Sequence, residues 1–72
     1  MKVTRRDIEV AIMEAVRRQP ECSDLTGVEI TADGGGRWHV ERLWNATNAG
    51  AQRVVKDVAD RLAKEYELAP EA

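Results

Sequence analysis

The sequence predicts an α+β fold, a two-layer αββα domain in which a two-stranded antiparallel hairpin packs against two helices. Apolar residues recur at helical spacing near both ends of the chain, and alternating apolar and polar residues flank a glycine-rich segment between them. With 72 residues the chain has room for one small domain. We expect an ordered core over about 4–68 and a short C-terminal tail at 69–72.

The first helix is predicted at about 4–19. Thr4 is a suitable N-cap, because its hydroxyl can accept a hydrogen bond from the Asp7 N–H. Pro20 ends the helix and opens a polar loop over 20–27. The apolar stripe that predicts the helix consists of Ile8, Ala11, Ile12, Ala15 and Val16.

The hairpin is predicted from strands at about 28–32 and 37–43, which the glycines after Asp33 connect. The apolar residues of the two strands share one face if Ile30 lies opposite Trp38 and Val28 opposite Val40. That register needs an odd-numbered loop, for which we predict 33–35.

The second helix is predicted at about 48–68, with Thr47 or Asn48 as its N-cap and its end near Leu68, before Pro70. Its stripe is the widest in the chain and consists of Ala51, Val54, Val55, Val58, Ala59, Leu62 and Tyr66.

Composition and charge narrow the function classes. The net charge is −2, the sequence contains no apolar run long enough to span a membrane, and we expect no signal peptide. The single cysteine, Cys22, favours a cytoplasmic setting. Together with His39 it offers two ligands where zinc prefers three or four, so we expect no metal and no cofactor.

His39 is the one obvious general base, and it is expected on the outer face of the hairpin beside Glu29, Thr31 and Glu41. No nucleophile motif accompanies it, so the sequence favours a protein that is not an enzyme. A small hydrolase that uses His39 is the weakest of three functional hypotheses.

The favoured hypothesis is a small protein-interaction module. Val10 and Met13 point away from the apolar stripe of the first helix, between Arg6 and Arg17, as in a small interface patch. The partner is another protein or a second copy of the chain, which would dimerise through the hairpin edge or through the outer face of the first helix.

Trp44 is the second candidate contact residue. It ends the second strand on the face of Trp38 and Val40, but Arg42 interrupts that face. Either Arg42 extends along the edge of a short core, or the strand bulges near Glu41. Trp44 then caps the core or, together with Arg42, anchors a partner.

Nucleic-acid binding is the alternative hypothesis. Residues 1–19 carry a net charge of +2 and residues 20–36 a net charge of −4, so the first helix is basic although the chain is not. The residues that would contact phosphates are Lys2, Arg5, Arg6, Arg17, Arg18, Arg37 and Arg42.

Overall fold

A computed structural model describes residues 1–70 and confirms the α+β fold, in which the antiparallel hairpin packs against both helices. The predicted C-terminal tail is described only as far as Pro70, and 71–72 lie outside the described residues. The elements in chain order are strand β1 (Lys2–Val3), helix α1 (Arg5–Val16), a 3-10 turn (Pro20–Cys22), strands β2 (Gly27–Gly34) and β3 (Arg37–Trp44), helix α2 (Ala51–Leu62) and strand β4 (Glu67–Leu68).

Helix α1 begins as predicted. The Asp7 N–H donates to the Thr4 hydroxyl at 3.1 Å, and the Thr4 N–H donates to the Asp7 carboxylate at 3.3 Å, which together form a capping box. The helix ends at Val16, three residues earlier than predicted, and turns lead into Pro20. The predicted polar loop instead starts with a 3-10 turn that buries Cys22 in the core.

The predicted hairpin register is wrong by two residues at Ile30 and by three at Val28, which lies opposite Leu43 rather than Val40. Ile30 lies opposite Val40, and Trp38 lies opposite Ala32. The chain reverses at Gly35 and Gly36, both with positive φ, in a two-residue turn rather than the predicted loop at 33–35. One extra residue, Asp33, bulges out of β2, so the even turn plus this residue still bury Ile30 and Trp38 on the same face.

A second bulge lies at Glu41, where Glu29 pairs with Arg42 and Ile30 pairs with Val40. Of the two explanations for the interrupted face, the bulge is therefore confirmed. The extra residue shifts the alternation beyond it, so Leu43 turns half-buried toward the core while Arg42 and Trp44 are exposed.

Helix α2 is shorter than predicted at both ends. It begins at Ala51 behind Gly50, and the predicted caps Thr47 and Asn48 lie before it; the Asn48 side chain accepts a hydrogen bond from the Gly50 N–H at 2.7 Å. It ends at Leu62 rather than near 68, and the chain turns back over 63–66.

The short strands β1 and β4, which the sequence pattern did not predict, form a parallel pair, Lys2 with Glu67 and Val3 with Leu68. The Leu68 N–H donates on its other side to the Gly36 carbonyl at 2.9 Å, so this pair meets the hairpin at its turn. A Cβ at Gly36 would lie 3.1 Å from the Glu67 carboxylate, which reinforces the need for glycine there.

The core lies between the helices and the inner face of the hairpin. Its fully buried centre consists of Ile8, Ile12, Val16, Ile30, Ala51 and Val55, and the remaining buried apolar residues surround that centre. Burial of these side chains against one another is what stabilises a hairpin that would be marginal alone in water.

Candidate functional site

The patch predicted on the outer face of α1 is smaller than expected. Val10 is 46% exposed, but Met13 is half-buried and packs against the core. Arg6 and Arg17 are exposed at opposite ends of the helix. A single exposed valine is ordinary for a protein surface, so this face does not form a continuous apolar patch.

Trp44 lies on the outer surface at the end of β3 and does not cap the core. It is 41% exposed, and the Arg42 guanidinium lies 5.9 Å from the centre of its ring, within the range of a cation–π contact. Arg42 and Trp44 share a face because they are two residues apart, and the bulge at Glu41 turns that face outward. Arg42 and Trp44 therefore lie on the outer face of the hairpin, at the end remote from its turn.

The outer edge of β2 is covered by two charged residues of α1. The Arg5 guanidinium donates to the Ile30 carbonyl at 2.9 Å, and the Ile30 N–H donates to the Glu9 carboxylate at 3.4 Å. Arg5 and Glu9 are one helical turn apart and therefore reach the strand from the same face of α1. Their side chains take the place of a neighbouring strand at Ile30.

These two contacts also establish which way the backbone of β3 points. Ile30 directs its N–H and carbonyl away from β3, so Ile30 and its partner Val40 form a non-hydrogen-bonded pair of the antiparallel ladder. The N–H and carbonyl of Val40 therefore point to the other side, toward the outer edge of β3. Because the pattern alternates, the same groups of Trp38 point outward as well.

The outer edge of β3 is open. Among residues 1–70, no side chain and no neighbouring strand hydrogen-bonds to the outward backbone groups of Trp38 and Val40. β4 lies against β3 near the hairpin turn, and in the described part of the chain its one backbone hydrogen bond to this side of the hairpin goes to the Gly36 carbonyl. An edge with unpaired N–H and carbonyl groups is a template for another strand.

A groove of about 950 Å³ runs between this edge and helix α2. The apolar part of its lining comes from Trp38, Val40 and Leu43 of β3 and from Val55 and Ala59 of α2. Its rim is charged and carries Glu41, Arg42, Arg53, Lys56 and Asp60. We call the outer edge of β3 over 38–43, together with this groove, the edge groove.

His39 lies on the outer face of β3, as predicted, but its main partner is Asp33. The His39 Nδ1 lies 2.8 and 2.9 Å from the two Asp33 carboxylate oxygens, and Nε2 lies 3.9 Å from Glu41. The bulge that carries Asp33 brings its carboxylate to the ring. The hydrogen bond to Asp33 raises the pKa of His39; desolvation lowers it, and the negative charges of Asp33 and Glu41 raise it further.

The predicted neighbours of His39 lie on the same face, and the Thr31 hydroxyl donates to the Glu41 carboxylate. The imidazole side chain is 53% exposed. A histidine held by a carboxylate resembles part of a general-base pair, but here the pair lies on an open surface outside the apolar part of the groove. His39 and its polar neighbours therefore form a polar surface next to the edge groove.

Cys22 and the candidate metal ligands contribute little to this surface. Burial raises the pKa of the Cys22 thiol, and the neighbouring Glu21 carboxylate raises it further, so the reactive thiolate is disfavoured. Within residues 1–70, no group of three or more His, Cys, Asp or Glu side chains is arranged to hold a metal ion. No helix in this part of the chain has the length and apolar character that crossing a bilayer requires.

The basic residues proposed for nucleic-acid binding do not converge on one patch. Arg5 points inward to Ile30, whereas Arg6 lies at one end of α1 and Arg17 and Arg18 lie beyond its other end, about 18 Å away for a helix of 12 residues. Of the other three, Lys2 lies on β1, and Arg37 and Arg42 lie on β3, five positions apart.

The sequence pattern did not reveal the covering role of Arg5 and Glu9 or the open backbone at Val40. The i, i+4 spacing of Arg5 and Glu9 was the available signal, but it is equally typical of two solvated side chains on a helix. Comparison with known proteins finds no match to this chain among family models, curated proteins or solved structures.

Proposed function

We propose that this protein is a non-enzymatic interaction module that binds its partner by adding a strand to the outer edge of β3. The observation that carries the proposal is the difference between the two edges of the hairpin. Arg5 and Glu9 cover the edge of β2 at Ile30, whereas the outward backbone groups of Val40 have no partner within residues 1–70. The single buried cysteine, Cys22, supports the cytoplasmic setting that belongs to this proposal.

The edge groove has the features that strand addition needs. Main-chain hydrogen bonds to Trp38 and Val40 supply affinity without regard to sequence, and the groove beside α2 receives every second side chain of the added strand. Between the hairpin edge and the outer face of α1, the hairpin edge is the better-supported surface, because Met13 packs into the core and leaves Val10 isolated.

The test replaces one backbone N–H by N–CH3 and leaves every side chain unchanged. The chain is short enough for chemical synthesis, with ligation at Cys22, so N-methylvaline can replace Val40 and keep its side chain. The matched control is N-methylalanine at position 32, because Ala32 pairs with Trp38 and its N–H points outward from the opposite edge. Circular dichroism and thermal melting establish that both variants fold.

Ligands for the assay come from a displayed library of ten-residue peptides selected on the unmodified protein, and light scattering over a concentration series reports self-association. We expect selected peptides to shift the backbone amides of 38–43 in NMR spectra. Binding should be lost with N-methylvaline at 40 and kept with N-methylalanine at 32.

Three results contradict the proposal. Peptides that bind equally well to both N-methylated variants would show that the β3 edge is not the binding site. A protein that selects no peptide and remains monomeric at the highest concentration would show no strand addition at all. DNA or RNA fragments at low salt that shift the amides of 2–18 instead would favour the nucleic-acid alternative.

A further inference from the structure

We infer that the strand received by the edge groove belongs to an acidic partner, an extended segment in which apolar residues alternate with aspartate or glutamate. This inference rests on the proposed function and adds the chemistry of the occupant. It is carried by the charges around the groove and by the direction in which an added strand would point its side chains.

Three cations at the rim of the edge groove lack a carboxylate partner. Arg53 and Lys56 are one turn apart on α2, and Arg42 lies against the Trp44 ring on β3. In the described part of the chain, none of them has a carboxylate within ion-pair distance, 4.0 Å. Side chains that are charged and unpaired at the rim of a groove are available to a ligand of opposite sign.

The two carboxylates of the rim leave this positive charge in excess. Glu41 accepts a hydrogen bond from the Thr31 hydroxyl and lies 3.9 Å from His39, so part of its charge is already balanced. Asp60 is the other. Three cations against two carboxylates leave an excess of one positive charge, which increases when His39 is protonated.

The apolar walls of the groove determine the rest of the pattern. A strand added to β3 lies about 4.8 Å from it and points alternate side chains to opposite faces. Those on the inner side meet the half-buried Val40 and Leu43, where apolar side chains bury surface, and they lie on the same side as Arg53 and Lys56 of α2. Those on the outer side lie beside Arg42.

The experiment compares three capped eight-residue peptides in which valine alternates with aspartate, with serine or with lysine. Binding is followed by amide shifts of 38–43 at low salt and at high salt. We expect the aspartate peptide to bind about five- to tenfold more tightly than the serine peptide, and the lysine peptide to bind most weakly. High salt should reduce the difference.

Charge reversal of the rim identifies the cations responsible. The variant R42E should reverse the preference between the aspartate and lysine peptides, because the charged side chains of the added strand lie beside Arg42, whereas the double variant R53E and K56E on α2 should change it less. The matched control is R61E, because Arg61 is exposed on the same helix but does not line the groove. It should leave the preference unchanged.

The outcomes separate the two proposals. If all three peptides bind equally and still require the Val40 N–H, the strand-addition function stands and the acidic partner is refuted. If only neutral or basic segments bind, the acidic partner is likewise refuted. If no extended peptide binds and the protein is monomeric, both proposals fail. A dimer that pairs through β3 would make a second copy the occupant and refute the acidic partner.

Discussion

The replacement of Arg5 by methionine tests whether the β2 edge is covered as the structure indicates. Arginine and methionine have nearly the same helix propensity, so R5M changes little within α1 itself. The matched control is R6M, because Arg6 is the next residue in the same helical turn, is exposed, and has no hydrogen-bond or ion-pair partner within residues 1–70. The two variants lose the same charge near the same helix end.

The expected difference comes from the bond between the Arg5 guanidinium and the Ile30 carbonyl, which is 2.9 Å long and partly buried. A hydrogen bond with a charged donor contributes about 1.5–3 kcal/mol. Water can reach the Ile30 carbonyl once the guanidinium group is gone, so we expect R5M to lower the free energy of unfolding by about 1–2 kcal/mol more than R6M. For a domain of this size that is a melting-temperature difference of about 4–15 °C.

The assay is urea unfolding of both variants, monitored by tryptophan fluorescence and analysed by linear extrapolation. Light scattering after refolding at high protein concentration reports whether the uncovered edge pairs with other molecules. If R5M and R6M unfold within about 0.3 kcal/mol of each other, the Arg5 contact does not protect the edge of β2, and the asymmetry between the two edges loses its basis.

Three further predictions concern individual contacts. T4A should lower the free energy of unfolding by about 1 kcal/mol in urea titrations, because Thr4 caps α1, whereas T4S should remain close to the unchanged protein. D33N should lower the pKa of His39 in an NMR titration, since the hydrogen bond to Asp33 is the main cause of its elevation. The pKa of His39 is higher in the folded state than in the unfolded state. Protonated His39 therefore stabilises the fold fully below about pH 6.5, and this stabilisation is lost as the pH rises through the folded-state pKa. Above that pH, D33N and the unchanged protein should have the same free energy of unfolding, apart from effects that do not involve His39 protonation. W38F removes the indole N–H that donates to the Tyr66 carbonyl at 3.1 Å, together with the second ring of a buried side chain, and should lower the free energy of unfolding by at least about 1–2 kcal/mol; an unchanged midpoint of unfolding would show that this bond does not hold the segment after α2.

Hydrophobic periodicity was enough to predict both helices, both hairpin strands and the inner face of the hairpin. It did not predict the register, because each bulge adds one residue to a strand. The position of Arg42 left the bulge at Glu41 as one of two explanations, and nothing in the sequence pattern indicated the bulge at Asp33. Each bulge nevertheless has a consequence for the candidate site. The first brings a carboxylate to His39, and the second turns Trp44 outward.

The end of α2 was mispredicted for a related reason. Tyr66 falls on the helical stripe, yet its carbonyl accepts the Trp38 indole N–H, and Leu68 is buried by pairing with β1. Tertiary contacts of this kind override a local pattern. Arg5 illustrates the same limit for the site, because a cation in the first turn of a helix gives no indication that it bonds to a strand 25 positions away.

The pairing of β1 with β4 affects the order in which the protein folds. It joins segments as far apart as the Met1 amine and the Glu65 carbonyl, 64 positions along the chain, whereas the helices and the hairpin form from neighbouring residues. Closing so long a loop is favourable only after those elements have packed, so we expect the pair to form last and to open first. In hydrogen exchange, the amides of Glu67 and Ala69 should therefore exchange before those at the centre of β2 and β3. Each opening of the β1–β4 pair should also uncover, for a short time, the end of the hairpin at Gly36.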